Sequence, residues 1–307
     1  MTFTRVVGLL SRFFFEGFRP IARAPYRPDP ASWPDTEITG AWLGHSTVLL
    51  NLFGVWIITD PVLATRCGLR FGPLTIGPRR FVRPALDVRD LPEIDLLLLS
   101  HAHMDHLDLR TLRRLPGQPH AVTADGLSDL LEGMPFSGVT ELGWDESATI
   151  ETPHGPILVT ARQVAHWGAR MRTDVHRGYN GYLIEAGRYR VVFGGDTAYT
   201  ETFRGIRSAK PVDLAIMPIG AYDPWIHAHC NPEQALRMAD QAGADFVLPV
   251  HHQTFQLSSE PYREPIKRLL AATGSDQDRV ATREIGDEFR LDAGSRQTSA
   301  SRQTATA

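Results

Sequence analysis

Leu96–Leu97–Leu98–Leu99–Ser100–His101–Ala102–His103–Met104–Asp105–His106–Leu107–Asp108 is the stretch on which the reading of this chain turns. Four leucines close an apolar run, and four side chains able to bind a metal follow at once. A short apolar run bounded in this way reads as a buried strand. His101 and His103 are two apart, so they share a side in an extended segment but would diverge on a helix. Asp105 and His106 lie where the chain must turn. Asp108 suits the N-cap of a helix over Leu109–Leu115. The turn therefore aims two imidazoles one way, and a carboxylate with a third imidazole slightly further on. That layout serves two metal ions better than one.

Working outward, three more ligand candidates each follow an expected strand. His166 comes just after Ile157–Val164, Asp196 after Val191–Gly195, and His251 after Phe246–Val250. Ends of strands along one edge of a layered sheet are where sites collect. A natural partition gives one metal His101, His103 and His166, and the other Asp105, His106 and His251, with Asp196 bridging. An imidazole and carboxylate set suits zinc and also accepts iron or manganese. Two ions about 3.5–4 Å apart would share a hydroxide that acts as the nucleophile, so no catalytic Ser or Cys is required. Asp105 and Asp196 are thus both ligands and catalytic residues.

Around this centre the pattern is α/β. Ile38–Leu43, Ser46–Leu52 and Val55–Thr59 read as strands with breaks at Gly44 and Gly54, and residues 61–92 as a long connection. A strand over His120–Thr123 and a helix over Gly126–Glu132 follow the histidine turn. Strands are expected at Val139–Leu142, Ala148–Glu151 and Pro156–Val164. Gly181–Glu185 and Tyr189–Phe193 read as a hairpin, and Val212–Met217 and Phe246–Val250 as further strands. Helices over Pro232–Gln241, capped by Asn231, and over Pro261–Ala271 precede a last strand at Glu288–Leu291. The folded domain is placed at residues 36–292, between an N-terminal segment of residues 1–35 and a small, polar tail at 293–307 expected to be disordered. Within the first segment, Phe3, Val6, Val7, Leu10, Phe13, Phe14 and Phe18 recur at helical spacing, opposite Arg5, Arg12 and Arg19. An amphipathic helix of this kind serves as an in-plane membrane contact through residues 1–19, or packs on its own domain or a second subunit of a homodimer. A proline-rich arm, Ala22–Pro34, follows.

The bulk numbers narrow the classes. The chain has 307 residues, 42% hydrophobic and 22% charged, with a net charge of −3 and two cysteines. These describe a soluble globular protein with no disulfide framework, placed in the cytoplasm or peripherally at a membrane. They give no electrostatic case for nucleic acid.

A wider series of motifs appears in order: Trp42–Thr47, Thr59–Pro61, Gly77–Phe81, His166–Trp167, Gly195–Thr197, Pro218–Tyr222, Asn231–Glu233 and His251–Phe255. Together with the histidine turn, the series resembles the metallo-β-lactamase superfamily, in the branch that contains N-acyl-phosphatidylethanolamine-hydrolysing phospholipase D, over roughly residues 38–291. The resemblance implies an αββα sandwich with a dinuclear site at one edge of the sheets. His252–Gln253 departs from the Trp–Gly that commonly follows the ligand histidine in that branch. Position favours His251 over His252 as the ligand. Asp60 is expected to orient a ligand imidazole. His45, Trp167 and Tyr222 are expected beside the ligands or at the substrate. By the resemblance His229 falls near the mouth, where it would bind substrate or protonate the leaving group. The implied activity is zinc-dependent hydrolysis of a phosphodiester such as an N-acyl phospholipid. The alternatives are a soluble lactonase or other small-molecule ester hydrolase of the same fold, and a non-catalytic metal-binding protein. The complete ligand set argues against the last.

Overall fold

In a computed structural model, residues 19–291 are described, apart from residues 73, 172 and 209. The N-terminal helix expected before Arg19 and the tail expected after residue 292 lie outside the described residues. In chain order the elements are β1 (Ile38–Gly44), β2 (Thr47–Leu52), β3 (Val55–Thr59), β4 (Leu69–Phe71), β5 (Leu74–Ile76), β6 (Leu96–Leu99) and α1 (Leu109–Leu112). Next come β7 (His120–Ala124), β8 (Gly138–Leu142), β9 (Ser147–Ile150), β10 (Ile157–Arg162), β11 (Gly181–Ala186) and β12 (Tyr189–Phe193). Then follow β13 (Val212–Pro218), α2 (Pro232–Ala242), β14 (Ala244–Val250), α3 (Glu264–Ala272) and β15 (Glu288–Leu291).

Two mixed sheets face each other. One has seven strands in the order β15-β1-β2-β3-β6-β7-β8, the other six in the order β14-β13-β12-β11-β10-β9. Period-two alternation assigns the faces. In β12, Val191 and Phe193 point into the cluster between the sheets, while Val192 points outward. The outward face packs under α2 and α3 through Ala235, Met238, Ile266 and Leu269. β6 is buried at every position, as a parallel strand covered on both faces requires. This is the expected αββα sandwich with an uneven helical layer. Beyond the seven-stranded sheet, among the described residues, the α-helical cover is the single turn α1, assisted by buried Leu112 and Leu115.

Local chemistry explains where expectation and structure agree. Asn231 accepts from Gln234 N at 2.9 Å and Gln234 Oε1 accepts from Asn231 N at 3.1 Å, a reciprocal cap. Gly243, at φ +76°, ends α2. Asp108 caps α1 as expected, but the helix closes after one turn rather than running to Leu115. The helix expected over Gly126–Glu132 is a 3₁₀ turn at Ser128–Leu131, because Gly126 and Gly133 both stand at φ +70° and leave no room for a second turn. The long connection hides a two-stranded ribbon, β4 paired with β5.

The proline-rich arm lies along the sandwich. Trp33 stacks on Trp56 with ring centroids 5.5 Å apart, and its Nε1 donates to Glu288 at 2.7 Å. No helix among the described residues is long and apolar enough to cross a membrane.

Candidate metal centre

The centre forms where carboxyl ends of parallel strands from both sheets meet. β3 and β6 run parallel and end at Asp60 and at Ser100–His101. β12, β13 and β14 run parallel, with Asp196 following the first and His251 the last. His166 follows β10. The sheets are stitched at this edge by Asn180 N donating to Ser100 O at 2.9 Å, and by the Tyr182 hydroxyl donating to Leu99 O at 2.8 Å. Gly195 sits at the joint with φ +56°, and a Cβ there would lie 2.8 Å from that of Ser100. Only glycine lets the Asp196 turn approach so closely.

The structure brings together all seven expected ligands. His101 Nε2 and His166 Nε2 lie 2.8 and 3.2 Å from His103 Nδ1. His106 Nε2 and His251 Nε2 each lie 3.1 Å from Asp196 Oδ2 and 3.6 Å from Asp105 Oδ2. His166 Nε2 is 3.8 Å from the same Asp196 oxygen, which therefore stands between the two groups. His106 Nε2, His251 Nε2 and Asp196 Oδ1 are buried without a hydrogen-bond partner. Buried polar atoms are rarely left so. Nitrogen and oxygen donors converging in groups of three or four, each within 4.8 Å, fit divalent cations of the zinc, iron and manganese type.

A surrounding layer fixes the rings. Asp60 accepts from His106 Nδ1 at 2.6 Å and from Ser100 N at 2.7 Å, and Ser100 Oγ donates to its second oxygen. His101 Nδ1 meets Ser100 Oγ at 2.8 Å, and His166 Nδ1 donates to Ala228 O at 2.9 Å. Each of these rings is left with Nε2 facing the centre, the usual arrangement around a metal. His45 Nε2 lies 3.0 Å from Asp105 Oδ2 and so holds that carboxylate. His45, Asp60 and His251 all have left-handed backbone, at φ 54°, 33° and 62°. Such strain costs about 1–3 kcal/mol per residue and collects at working sites.

Electrostatics divides the imidazoles. Burial draws His166 and His45 down to about 3 and His101 well below its usual value. Burial also opposes charge on His106 and His251, but the Asp196 and Asp105 carboxylates outweigh it. The net shift is upward for both, to about 9 for His251. The two aspartates are pushed up by burial, yet the facing imidazoles, His106 foremost, hold both well below the carboxylate range. Carboxylate charge enclosed in this way invites cations.

Other expected residues divide. His229 Nδ1 is 3.7 Å from Asp196 Oδ2, and burial draws it down to about 4. Trp167 is exposed, with its ring 4.8 Å from that of His103, and forms part of the rim. Tyr222 is not drawn into the ligand cluster: its hydroxyl donates to Glu264 at 2.8 Å and its ring lies under Arg268, tying the loop to α3. Of the adjacent histidines, His251 faces the aspartates, while His252 stacks on Trp42 with ring centroids 4.4 Å apart.

Sequence reasoning missed three supports. Ser100 links Asp60 to His101. Arg170 donates to the carbonyls of Ala102 and Leu107 at 3.0 and 2.8 Å, clamping the histidine turn at both ends. Thr254 Oγ1 accepts from His45 N at 2.7 Å. Only Ser100 could have been found, from its place inside the motif. The other two meet their partners across long stretches of chain.

Known proteins share this sequence family and fold. The model of the β-lactamase superfamily domain matches residues 55–252. The chain is 33% identical over 278 residues to an uncharacterised protein of Mycobacterium tuberculosis, covering 86% of this chain and 73% of that one. It is 32% identical over 256 residues to N-acyl-phosphatidylethanolamine-hydrolyzing phospholipase D 1 of Caenorhabditis elegans, covering 78% and 71%. In fold it is similar to Igni18, a metallo hydrolase of Ignicoccus hospitalis, with a TM-score of 0.62, 20% identity, and coverage of 84% of this chain and 100% of that one. By family match and by fold, the chain belongs to the β-lactamase superfamily and is a metal-dependent hydrolase built on the metallo-β-lactamase sandwich.

Proposed function

We propose that the chain is a dinuclear zinc phosphodiesterase acting on an N-acyl phospholipid. The observation that carries the dinuclear reading is the place of Asp196 Oδ2 between the imidazoles of both groups. When bound, two ions would supply water of lowered pKa and polarise a phosphoryl oxygen. His101, His103 and His166 would hold one ion, and Asp105, His106 and His251 the other, with Asp196 shared. Asp60 and Ser100 keep the ligand nitrogens of His101 and His106 turned inward, and His45 keeps Asp105 in place. His229, neutral through burial, would hydrogen-bond a substrate oxygen, and would protonate the leaving group only after taking up a proton at the Asp196 side. The substrate class is supported by the similarity to the C. elegans phospholipase D and by the motif series.

The test is elemental analysis of protein purified without chelator, with turnover on a soluble phosphodiester, a lactone and N-acyl phosphatidylethanolamine. About two zinc ions per chain and turnover of both diesters are expected. One ion or none in a folded, active protein would overturn the dinuclear site. Turnover of the lactone alone would overturn the phosphodiester.

A further inference from the structure

The exposed apolar side chains of this molecule are not scattered. Among the described residues, eight of the twelve large ones fall in three short segments, 69–76, 167–175 and 225–226, so they mark a surface rather than background. Two of these segments border the metal centre, and the third springs from a base that is joined to it. The Trp167 ring packs on His103, and Trp225 O accepts from His229 N at 2.9 Å. The base of the β4–β5 ribbon is tied in twice. Cys67 packs with Val62 and Phe255, whose ring is 5.2 Å from His45, and Arg66 O accepts from Arg110 just after the histidine turn.

The ribbon itself is two-faced. Leu69 pairs with Ile76, and Leu74 lies two residues from Ile76, so these three share one face while Arg70 and Thr75 take the other. Leu74 is 61% exposed, and none of the three joins a buried cluster. At the neck, Gly68 and Gly77 stand at φ +136° and +155°. A Cβ on either would lie 2.1 Å from a facing carbonyl oxygen. That backbone contact, which only glycine permits, fixes where the ribbon leaves the body. A two-stranded ribbon is marginal in water by itself, so an uncovered apolar face calls for a partner.

Charge selects the partner. Residues 61–86 contain four arginines besides the buried Arg80, and no lysine, aspartate or glutamate, in a chain of net charge −3. Arg70 and Arg83 are exposed. A second copy would bring the same positive segment against itself. Residues 1–18, which join the body at Arg19 beside the Arg79 and Arg80 carbonyls, carry Arg5 and Arg12 against Glu16 and so are also positive. Apolar surface with arginine around it complements an anionic lipid surface.

We propose that the ribbon Leu69–Ile76, with the rims at Trp167 and Trp225, docks the protein on anionic phospholipid bilayers and brings the metal centre to the headgroups. This deepens the phospholipid reading and rests on it for its purpose, but docking is measured without turnover, so the two can fail separately.

The experiment is co-sedimentation of full-length, metal-loaded protein with vesicles of phosphatidylcholine alone or mixed with phosphatidylglycerol. Stronger binding to the anionic vesicles is expected, weakening as salt is raised. Leu74→Glu with Ile76→Glu should weaken it about tenfold or more. Arg70→Glu with Arg83→Glu should weaken binding to the anionic vesicles only. Metal content and soluble-diester turnover should stay at the parent level in both variants. Unchanged partition of both would overturn the proposal. So would a loss that follows only Phe13→Glu with Phe14→Glu, which moves the contact to residues 1–18. A parent that binds no vesicle but is a dimer split by the Leu74 and Ile76 changes would make the face a contact between copies. Ribbon-dependent binding by a protein that hydrolyses no phospholipid would keep the docking surface and remove the substrate.

Discussion

The two sheets deliver their ligands by different means. The seven-stranded sheet sends out one turn after β6, and that turn carries His101, His103, Asp105 and His106. The six-stranded sheet sends one ligand each from the ends of β10, β12 and β14. In the second case the β13–β14 register runs to Val250, directly before His251, and Asp196 follows three residues after the last β12–β13 pair, over a buried core. In the first case the β6 ladders end by Leu99, one isolated bridge joins His101 to Tyr179, and the rest of the turn depends on individual hydrogen bonds from Asp60, His45 and Arg170. Ligands fixed by register resist loosening short of unfolding, whereas ligands fixed by a few bonds can drift while the fold survives.

That contrast is broken most forcefully at the residue the two halves share. Asp196→Asn should fold, because the register of β12 is untouched, but should lose more turnover than the roughly 10–100-fold expected for removing an outer partner of a ligand. Wild-type kinetics in a folded, metal-replete Asp196→Asn protein would remove the bridge. Asp60→Asn tests the turn alone. Metal affinity should fall about 10–100-fold by chelator competition. If stability drops while affinity holds, Asp60 is only a cap for the turn before Pro61.

The two imidazoles facing the aspartates, His106 in the turn and His251 after β14, should carry the pH dependence. In the metal-free protein His251 is raised to about 9, above its ordinary value, so it is protonated at neutral pH and a metal must displace that proton. Affinity should therefore rise with pH from 7, by up to about tenfold per pH unit for each proton displaced, with proton release in weak buffer. A flat profile between pH 7 and 9 would mean that His251 meets the metal already neutral. The smallest effect is expected at Arg170. Arg170→Met leaves two turn carbonyls without their donor, which should cost about 1–3 kcal/mol in stability. Metal affinity should fall by up to about tenfold, the lower end of the range for outer partners. Lost stability with full affinity would make Arg170 a packing residue rather than a clamp.

The same contrast governs what could be read from the sequence. The histidine turn is local, and so its ligands, its strand and the Asp108 cap are visible within thirteen residues. His166, Asp196 and His251 could be found only because each ends an apolar run. Arg170 and Thr254 act across long chain separations, and nothing in their neighbours announces the contact, whereas His45 is reached through the motif series. Tyr222 had the right motif but turned to Glu264, a hydrogen-bond partner on α3. The β4–β5 ribbon escaped notice since three-residue strands with glycine at both necks carry too little periodicity to register.

The unpartnered nitrogens of His106 and His251, with two aspartates against them, also bear on how long the chain survives in a cell. A group that binds only the folded state raises its stability by about 2.7 kcal/mol when present at a hundred times its dissociation constant. Starvation for metal would withdraw that margin from every copy at once. The unfolded fraction, and with it the rate of clearance by proteases, would then follow the cell's free metal. The abundance of this protein should thus record metal supply before any change in its synthesis does.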